Sequence, residues 1–413
     1  MLLLLTVLLS SVATSFATPV LDLRLDNTAS VDLTAVACEI NPFATTPAPL
    51  LVRNSNFVYP SGAGRSTITF AAGETIDFAC PGGRLVLDGA STTLQVATAS
   101  CVSGTRFIVN NARYLWNQVR CSANPVSSSR YTGKACEAGG REAEIGFAIT
   151  NTRFARTMLI CFDVTRQTTI YSYYDLIPAI NQQITGTPRP SWTQGSGMFT
   201  LNNVNTLYTT ATQRVTINGL LGLSSTSTTV IQNNNYFLSR GHLTARSDFF
   251  YAAQQNSTFH FLNALPQWQT FNGFNWDQAE KDVQDYAERN NAQLQVWTGG
   301  FNVTTLPHSR TGVETELYLS VSGSQRLLPV PDLFWKVVYN PTTKRGVALI
   351  GVNNPYKTAN QINRFCDDRS DLLTWLNWRK NDQARGISWA CTVPAFRRIV
   401  NSFPNVEISG LLF

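Results

Sequence analysis

The chain has 413 residues, of which 43% are hydrophobic and only 14% are charged. The length exceeds that of one ordinary domain and the apolar fraction is sufficient for a buried core, so the composition excludes an intrinsically disordered chain. The net charge of +6 favours a polyanionic partner only weakly, because no run of Lys or Arg accompanies it.

The N-terminus begins with a short apolar run, Leu2 to Leu9, followed by small residues that include Ser15 and Ala17 in an Ala-x-Ala-like pattern. The run is far shorter than a membrane-spanning helix, and no later segment reaches the roughly 20 apolar residues that such a helix needs. We interpret residues 1–17 as a cleaved signal peptide rather than a buried helix. This interpretation predicts a secreted, extracellular protein without membrane association.

Eight cysteines follow, and their even number in a secreted chain predicts disulfides. The sequence has no CxxC pair and no Cys/His cluster, which argues against a zinc site. Cys366 and Cys391 are the local pair near the C-terminus, whereas the pairing of the other six stays open: Cys38, Cys80, Cys101, Cys121, Cys136 and Cys161. Two Asn-x-Ser/Thr sequons, at Asn256 and Asn302, are candidate glycosylation sites on exposed loops.

Residues 18–144 predict a small all-β module stapled by disulfides. Thr, Val, Ile and Phe alternate with small polar residues, and Gly or Pro-Gly marks the breaks, as in residues 66–80. A Ser- and Gly-rich stretch at 124–144 marks the module boundary, where a bond between Cys136 and Cys161 would tie the two modules together. The module has no histidine and no clustered carboxylates, so no chemistry is assigned to it.

Residues 145–413 predict a second, α+β domain. Apolar residues recur at three- and four-residue steps in the helical segment, with acidic residues early and Arg289 late, as the helix dipole favours. The predicted elements are strands at 157–165, 168–180 and 236–243, an extended segment at 257–263, a helix at 275–291 and a hairpin at 333–355.

Residues 236–280 contain side chains suited to phosphodiester hydrolysis. This reaction needs a base for the attacking water, charge neutralisation at the phosphorane oxygens, and a proton or cation for the leaving oxygen. His242, in an Arg-Gly-His triplet, is the candidate base, and Asn272 offers the neutral oxygen that suits Mg²⁺. Glu280 would hold a water. Taken singly, these residues also fit a packed histidine, an Asn-Gly turn and an ordinary carboxylate of a first helical turn.

Three motifs in this stretch, Arg-Gly-His, Asn-Ala-Leu-Pro-Gln-Trp and Phe-Asn-Gly-Phe-Asn-Trp followed by Glu, resemble those of the DNA/RNA non-specific endonucleases. This is the ββα-metal (His-Me finger) superfamily, typified by the secreted nuclease of Serratia. The variant here is most similar to secreted arthropod members, which include crustacean duplex-specific nuclease and insect double-stranded ribonucleases. The resemblance covers roughly residues 145–400. It implies an α+β fold: a ββα-metal nuclease domain at 145–413, preceded by the β-rich domain at 18–144.

At the matching positions the resemblance implies roles for the three candidate residues. His242 would be the general base that activates water. Asn272 would be the single direct protein ligand of Mg²⁺, or of Mn²⁺ in its place, and Glu280 would hydrogen-bond metal-bound water. His242 must be neutral to act, so an unperturbed pKa predicts that activity falls below about pH 6.5.

The resemblance also implies contacts with the substrate. Arg189, in an Arg-x-x-Trp context, would stabilise the transition state, and Arg240 would contact phosphate. Asn263, before the Pro-Gln pair, would contact substrate. Guanidinium groups suit this chemistry because each can bind two phosphate oxygens. Arg246 either adds a substrate contact or is an exposed bystander.

Two positions depart from the bacterial pattern, Ser239 in place of Asp and Gln284 in place of Arg. Loss of such supporting residues can cost about 10- to 100-fold in metal affinity or activity. We expect Trp268 and Trp276 to pack in the core around the helix predicted at 275–291 rather than to stack on nucleobases.

The sequence therefore predicts a secreted, Mg²⁺-dependent endonuclease that hydrolyses DNA and RNA, single- or double-stranded, to 5′-phosphate ends. DNA and RNA are its predicted partners, and no obligate protein partner is implied. Two alternatives remain: a secreted nucleic-acid-binding protein with weakened or lost nuclease activity, and an adhesive or structural protein with a coincidental motif.

Overall fold

The computed structural model describes residues 36–232 and 235–413, so the predicted signal peptide at 1–17 lies outside the described residues. The described strands are β1 Cys38–Ile40, β2 Leu50–Arg53, β3 Asn56–Phe57, β4 Ile68–Phe70, β5 Thr75–Ala79, β6 Leu85–Leu87, β7 Ala90–Ser91, β8 Val96–Ser103, β9 Arg106–Val109, β10 Ala112–Leu115, β11 Val119–Cys121, β12 Ser128–Ala135, β13 Arg141–Ala148, β14 Phe154–Asp163, β15 Thr168–Leu176, β16 Leu238–His242, β17 Ala264–Trp268, β18 Leu294–Val303, β19 Thr305–Pro307, β20 Glu314–Glu316, β21 Tyr318–Ser322, β22 Gln325–Pro329, β23 Pro331–Asn340, β24 Arg345–Val352, β25 Ser388–Cys391 and β26 Gly410–Leu411. The described helices are α1 Val204–Leu207, α2 Thr210–Leu220, α3 Ala252–Ser257, α4 Gln269–Phe271, α5 Asp277–Arg289 and α6 Val393–Arg397, and a π turn, Asn272–Trp276, joins α4 to α5.

The N-terminal region is all β in its described part, which confirms the predicted fold class. Six strands form a sheet in the order β10-β9-β8-β5-β2-β3, and a three-stranded sheet and a two-stranded pair accompany it. Two disulfides, Cys38–Cys101 and Cys80–Cys121, lie within this region, and their cysteines are buried in its core.

A nine-stranded sheet forms the second region, in the order β12-β13-β14-β15-β18-β23-β24-β25, with β26 paired to β24. The boundary predicted between residues 144 and 145 falls inside β13, since the sheet extends back to Ser128. The disulfide Cys136–Cys161 closes β12 and its following turn onto β14, so it lies within this sheet. The predicted pair Cys366–Cys391 is also present.

Most predicted elements of the second region are found at their expected places, including the hairpin of β23 and β24. The extended segment predicted at 257–263 is wrong in part: α3 continues to Ser257, and Phe261–Asn263 form one 3-10 turn. The Ser257 and Thr258 hydroxyls donate to carbonyl oxygens three residues earlier, at 2.7 Å and 2.8 Å. These local bonds favour a helix end over an extended strand.

The two regions share one hydrophobic core, which runs from Cys38 to Leu412. Polar contacts add to it: Gln254 Nε2 donates to the Tyr59 hydroxyl at 2.7 Å, and Arg153 pairs with Asp77 at 2.5 Å. The described residues, 36–232 and 235–413, belong to one compact unit. No helix in the described part of the chain is long and apolar enough to cross a membrane.

Candidate active site

The antiparallel pair of β16 and β17 carries the predicted base at its end, where His242 pairs with Ala264. Gly241 precedes it because a side chain there has no room: a Cβ atom would lie 2.5 Å from Cβ of Gln267. The Ser239 hydroxyl donates to the Gln267 carbonyl oxygen at 2.8 Å. Ser239 therefore supports the strand pair that presents His242.

The helix after β17 carries the predicted metal ligand and the carboxylate. An unbroken α-helix would leave Asn272 and Glu280 about 80° apart, on neighbouring faces. The π turn that begins at Asn272 accommodates one extra residue. The eight steps from Asn272 to Glu280 then turn the helix only as far as seven α-helical residues would. The two side chains therefore lie within about 20° of each other around the helix axis. The Asn-Gly pair is thus helical rather than a turn, and both side chains reach the same side.

A cleft of about 460 Å³ brings five of the seven predicted site residues together: Arg189, His242, Arg246, Asn272 and Glu280. The strand pair supplies the histidine and the helix supplies Asn272 and Glu280. Arg189 lies in the segment between β15 and α1, and Arg246 lies in the 3-10 turn that follows β16.

The His242 ring is half-buried between two aromatic side chains, with centroids 4.7 Å from Trp192 and 5.0 Å from Phe259. Its Nε2 atom is buried and has no hydrogen-bond partner. Burial, and after it the positive charges of Arg189 and Arg246, together lower the pKa of His242 to about 3. The imidazole is therefore neutral at physiological pH, as a general base must be.

Glu280 lies in a setting that disfavours its charge. Its pKa is raised to about 8, chiefly by burial; the positive charge of Lys336 opposes the rise, and the charges of Asp248 and Asp277 add to it. Lys336 is 1% exposed, and its Nζ donates to Thr298 Oγ1 at 2.8 Å. A nearby cation is therefore needed to keep Glu280 ionised at neutral pH, and Lys336 supplies part of that effect.

The two arginines of the cleft differ in their surroundings. Arg189 is exposed, whereas Arg246 is half-buried and its Nη2 donates to the Thr187 carbonyl oxygen at 2.7 Å and to the Thr187 hydroxyl. Arg246 therefore anchors the loop that carries Arg189. Gln284 Nε2 donates to Asp248 Oδ1 at 2.8 Å and to Ser247 Oγ at 2.9 Å. The glutamine thus fastens helix α5 to the turn beside Arg246.

Two of the predicted site residues lie outside the cleft. Arg240 donates to Asn205 Oδ1 at 2.7 Å and lies over the ring of Tyr208. Asn263 is fully buried: its Oδ1 accepts from the Thr244 amide at 2.9 Å, and its Nδ2 donates to the carbonyl oxygens of Thr244 and Thr258. In this arrangement Asn263 fixes the chain after β16 and does not face the cleft.

The donors around Asn272 fit a hard cation. Its Nδ2 donates to Gln269 Oε1 at 3.4 Å, which leaves the amide oxygen available to the cleft. The other side chains here that could bind a metal would do so through oxygen atoms; they are Gln269, Asp277 and Glu280. No group of three or more His, Cys, Asp or Glu side chains that could hold a metal ion occurs among the described residues. A set of few oxygen ligands suits Mg²⁺, which keeps several of its waters.

Sequence reasoning missed Trp192 and Lys336. Trp192 is the tryptophan of the Arg-x-x-Trp context, and its ring lies against the base. Lys336 stands alone among apolar residues in β23, and a single cation in such a run is the signal that was available. The placement of Trp268 and Trp276 in the core, both fully buried, agrees with the prediction.

The chain is similar in sequence to salivary proteins of other organisms. A salivary endonuclease of Lutzomyia longipalpis is 28% identical over 300 residues, which are 71% of this chain and 64% of that protein. Salivary protein Tsal1 of Glossina morsitans morsitans is 25% identical over 215 residues, 52% of each chain. The matches therefore span less than two thirds of these relatives' own length.

A solved complex of EndoG with EndoGI is 14% identical and covers 62% of this chain and 87% of that one, but its TM-score of 0.37 is too low to carry an argument. The family model of the DNA/RNA non-specific endonucleases matches residues 139–396. Since this match covers more than half of the 413 residues, the chain belongs to the DNA/RNA non-specific endonuclease family.

Proposed function

We propose that the protein is a secreted, Mg²⁺-dependent endonuclease that hydrolyses both DNA and RNA without regard to the sugar. The observation that carries the proposal is the convergence of His242, Asn272, Glu280 and Arg189 on one cleft. Phosphate contacts carry no sequence information, so a site built from such contacts favours non-specific cleavage.

In the proposed reaction the neutral imidazole of His242 takes a proton from water. The water oxygen attacks phosphorus, and the bond from phosphorus to the 3′-oxygen breaks, which leaves a 5′-phosphate and a 3′-hydroxyl after the 3′-oxygen gains a proton from solvent. Arg189 binds the non-bridging oxygens, where negative charge grows. Glu280 accepts a hydrogen bond from water on the helix side of the cleft.

Mg²⁺, or Mn²⁺ in its place, would be held by Asn272 and would supply positive charge to the phosphate and the leaving oxygen. The family is one of metal-dependent nucleases, and the oxygen donors around Asn272 support Mg²⁺. We further propose that Arg240, outside the cleft, contacts a phosphate farther along the substrate, and that Asn263 acts by positioning the chain after β16.

Secretion is supported by the sequence pattern at 1–17 and by the four disulfides of the described region, which form in oxidising compartments. The salivary relatives support the same location. DNA and RNA are the proposed partners.

The test is cleavage of supercoiled plasmid and of duplex RNA with Mg²⁺, with and without EDTA. We expect both to be cut only with metal, and His242→Ala to cut at least about 100-fold more slowly, the usual contribution of a general base. His308→Ala is the matched control, because His308 does not line the cleft. Binding of nucleic acid by the wild type without metal-dependent cutting would contradict the proposal and favour a binding protein.

A further inference from the structure

A second cavity, of about 490 Å³, lies beside the catalytic cleft. The two share one wall, formed by Ile184, Thr185, Gly186 and Arg189. Its far side is the turn Pro42–Pro49 of the N-terminal region, and its floor includes the start of α3. The volume falls in the range of roughly 300–1,000 Å³ that is typical of small-molecule sites.

The turn that forms the far side is held in place by its own hydrogen bonds. Thr45 Oγ1 donates to the Val119 carbonyl oxygen at 2.9 Å, and the Cys121 amide donates to the Pro47 carbonyl oxygen at 2.7 Å. On the other side, Gln255 Nε2 donates to the Ile184 carbonyl oxygen at 2.8 Å. Both walls are therefore preformed, which reduces the entropy that a ligand must overcome on binding.

The lining suits a flat ring with a polar edge. Phe43 is half-buried, and its ring lies 4.9 Å from that of Phe250. Asn256 is predicted from the sequence as a glycosylation site on an exposed loop, but it lies half-buried in α3 and lines the cavity. Its Oδ1 is buried without a hydrogen-bond partner. Every nucleobase offers a face for an aromatic ring and an N–H donor for this oxygen, which a rotation of the Asn256 side chain would bring to the cavity surface. Arg189 is the one charged residue of the lining, and it stands at the wall next to the cleft.

We propose that this cavity receives one unpaired nucleobase of the substrate strand, beside the phosphate that is cut. The inference rests on the proposed function, because the nucleobase is reached along the strand whose phosphate lies in the cleft. Arg189 then contacts the backbone between the two cavities. Part of the N-terminal β-rich region thereby belongs to the substrate site, and a base inside a duplex must leave its stack to enter.

The first test maps cleavage of a single-stranded DNA oligonucleotide in which one position lacks its base. Product lengths show which bonds are cut with Mg²⁺. The wild type should cut poorly at one fixed distance from the abasic position, by about fivefold or more, the loss expected for one stacked base. Phe43→Ala should remove this local minimum, and Phe43→Trp should keep it.

The second test measures binding without cleavage. Fluorescence anisotropy in EDTA compares a short oligonucleotide with one of equal length that lacks all its bases. The protein is produced in a host without N-glycosylation, because Asn256 lies in a sequon. The wild type should prefer the base-bearing strand, and Phe43→Ala should lose about fivefold or more of that preference. Ala252→Phe, which fills the cavity without removing a side chain, should have the same effect if Phe43→Ala fails to fold.

Phe301→Ala is the control for loss of an aromatic ring, since Phe301 packs against Phe365 and lines neither cavity. If Phe43→Ala and Ala252→Phe retain the wild-type preference, or the wild type shows none, the cavity proposal is overturned. If the wild type prefers the base-bearing strand and the variants do not, but no protein cuts, the cavity stands and the nuclease proposal fails.

Discussion

The chemistry of the cleft depends on two side chains whose charged forms the protein disfavours. His242 packs between two aromatic rings and lies near the positive charges of two arginines. Both effects favour its neutral form. Glu280 is buried near two other carboxylates, so its neutral form is favoured as well. The first effect keeps the imidazole unprotonated at neutral pH but lowers its basicity, whereas the second makes the carboxylate depend on a nearby cation.

The protonation of His242 gives the first prediction. Its pKa is lowered to about 3, so its imidazole resonance should not titrate between about pH 8 and about pH 5, where an ordinary histidine changes charge. Proton NMR of the metal-free protein checks this, with His242→Ala to assign the signal. The loss of activity that the sequence predicts below about pH 6.5 should therefore occur at a lower pH. A His242 midpoint at or above about pH 6.5 would contradict the account.

Glu280 gives a prediction on stability. Its folded-state pKa is raised from 4.5 to about 8, so between these values the folded state holds a proton that the unfolded state has lost. The free energy of unfolding therefore falls as pH rises through this window. Glu280→Gln should remove that part of the fall, and be more stable than the wild type at about pH 8, while losing activity.

Denaturant unfolding in EDTA at about pH 5 and about pH 8 measures the effect. Glu288→Gln is a suitable control, because Glu288 lies on the same helix outside the cleft. Equal pH dependence of stability in Glu280→Gln and the wild type would show that the pKa of Glu280 is not raised.

At the scale of elements, the antiparallel pair of β16 and β17, joined by residues 243–263, and a π turn align the site. The strand pair brings Gly241 so close to Gln267 that no side chain fits, and the π turn brings Asn272 into line with Glu280. π turns inside α-helices are frequent at functional sites, as this one is. Both features mainly set the directions in which the side chains of the site point.

Gly241→Ala tests the pair of β16 and β17. The added Cβ would lie 2.5 Å from Cβ of Gln267, so the strands must shift, at a cost of about 1–3 kcal/mol. A displacement of about 1 Å at His242 can reduce the rate by about 100-fold. Thermal unfolding and plasmid cleavage measure the two effects.

Gly219→Ala is the matched control, because nothing lies within 4 Å of a Cβ there and the residue is in α2. That variant should be unchanged or more stable by up to about 1 kcal/mol. If Gly241→Ala behaves like Gly219→Ala, the close approach does not position the base.

The elements that the sequence predicts correctly are those with a local sequence pattern. The alternation in β16 and the three- and four-residue periodicity of α5 are local, and both elements are where they are expected. The π turn has no periodic signal, so the angle between Asn272 and Glu280 was misjudged. Asn263 and Arg240 share the motif with His242, but their side-chain directions depend on Thr244 and Asn205, which no local pattern reveals.

At the scale of the molecule, the N-terminal β-rich region and the nuclease fold bury a common core. Residues of both regions form one hydrophobic cluster, and Tyr251 of the second donates to the Val58 carbonyl oxygen of the first. The sequence predicts a boundary from composition, but a shared core arises from contacts far apart in the chain. The cavity beside the cleft exists because the two regions pack together.

We therefore expect the disulfide-bonded protein to unfold in one cooperative transition. Differential scanning calorimetry measures this, and the calorimetric and van't Hoff enthalpies should agree. Gln254→Ala, which removes the bond to Tyr59 between the two regions, should lower the single midpoint without splitting it. Two separate transitions in the wild type would show that the regions are independent domains.

The central claim is that His242 activates water for attack on a phosphodiester in this cleft. Cleavage of DNA in heavy-oxygen-labelled water, followed by mass spectrometry of the new ends, tests it most directly. The account predicts the label in the 5′-phosphate and a 3′-hydroxyl on the other end, with a rate at least about 100-fold lower in His242→Ala. Unlabelled or 3′-phosphate ends, or an unchanged rate in the variant, would contradict it.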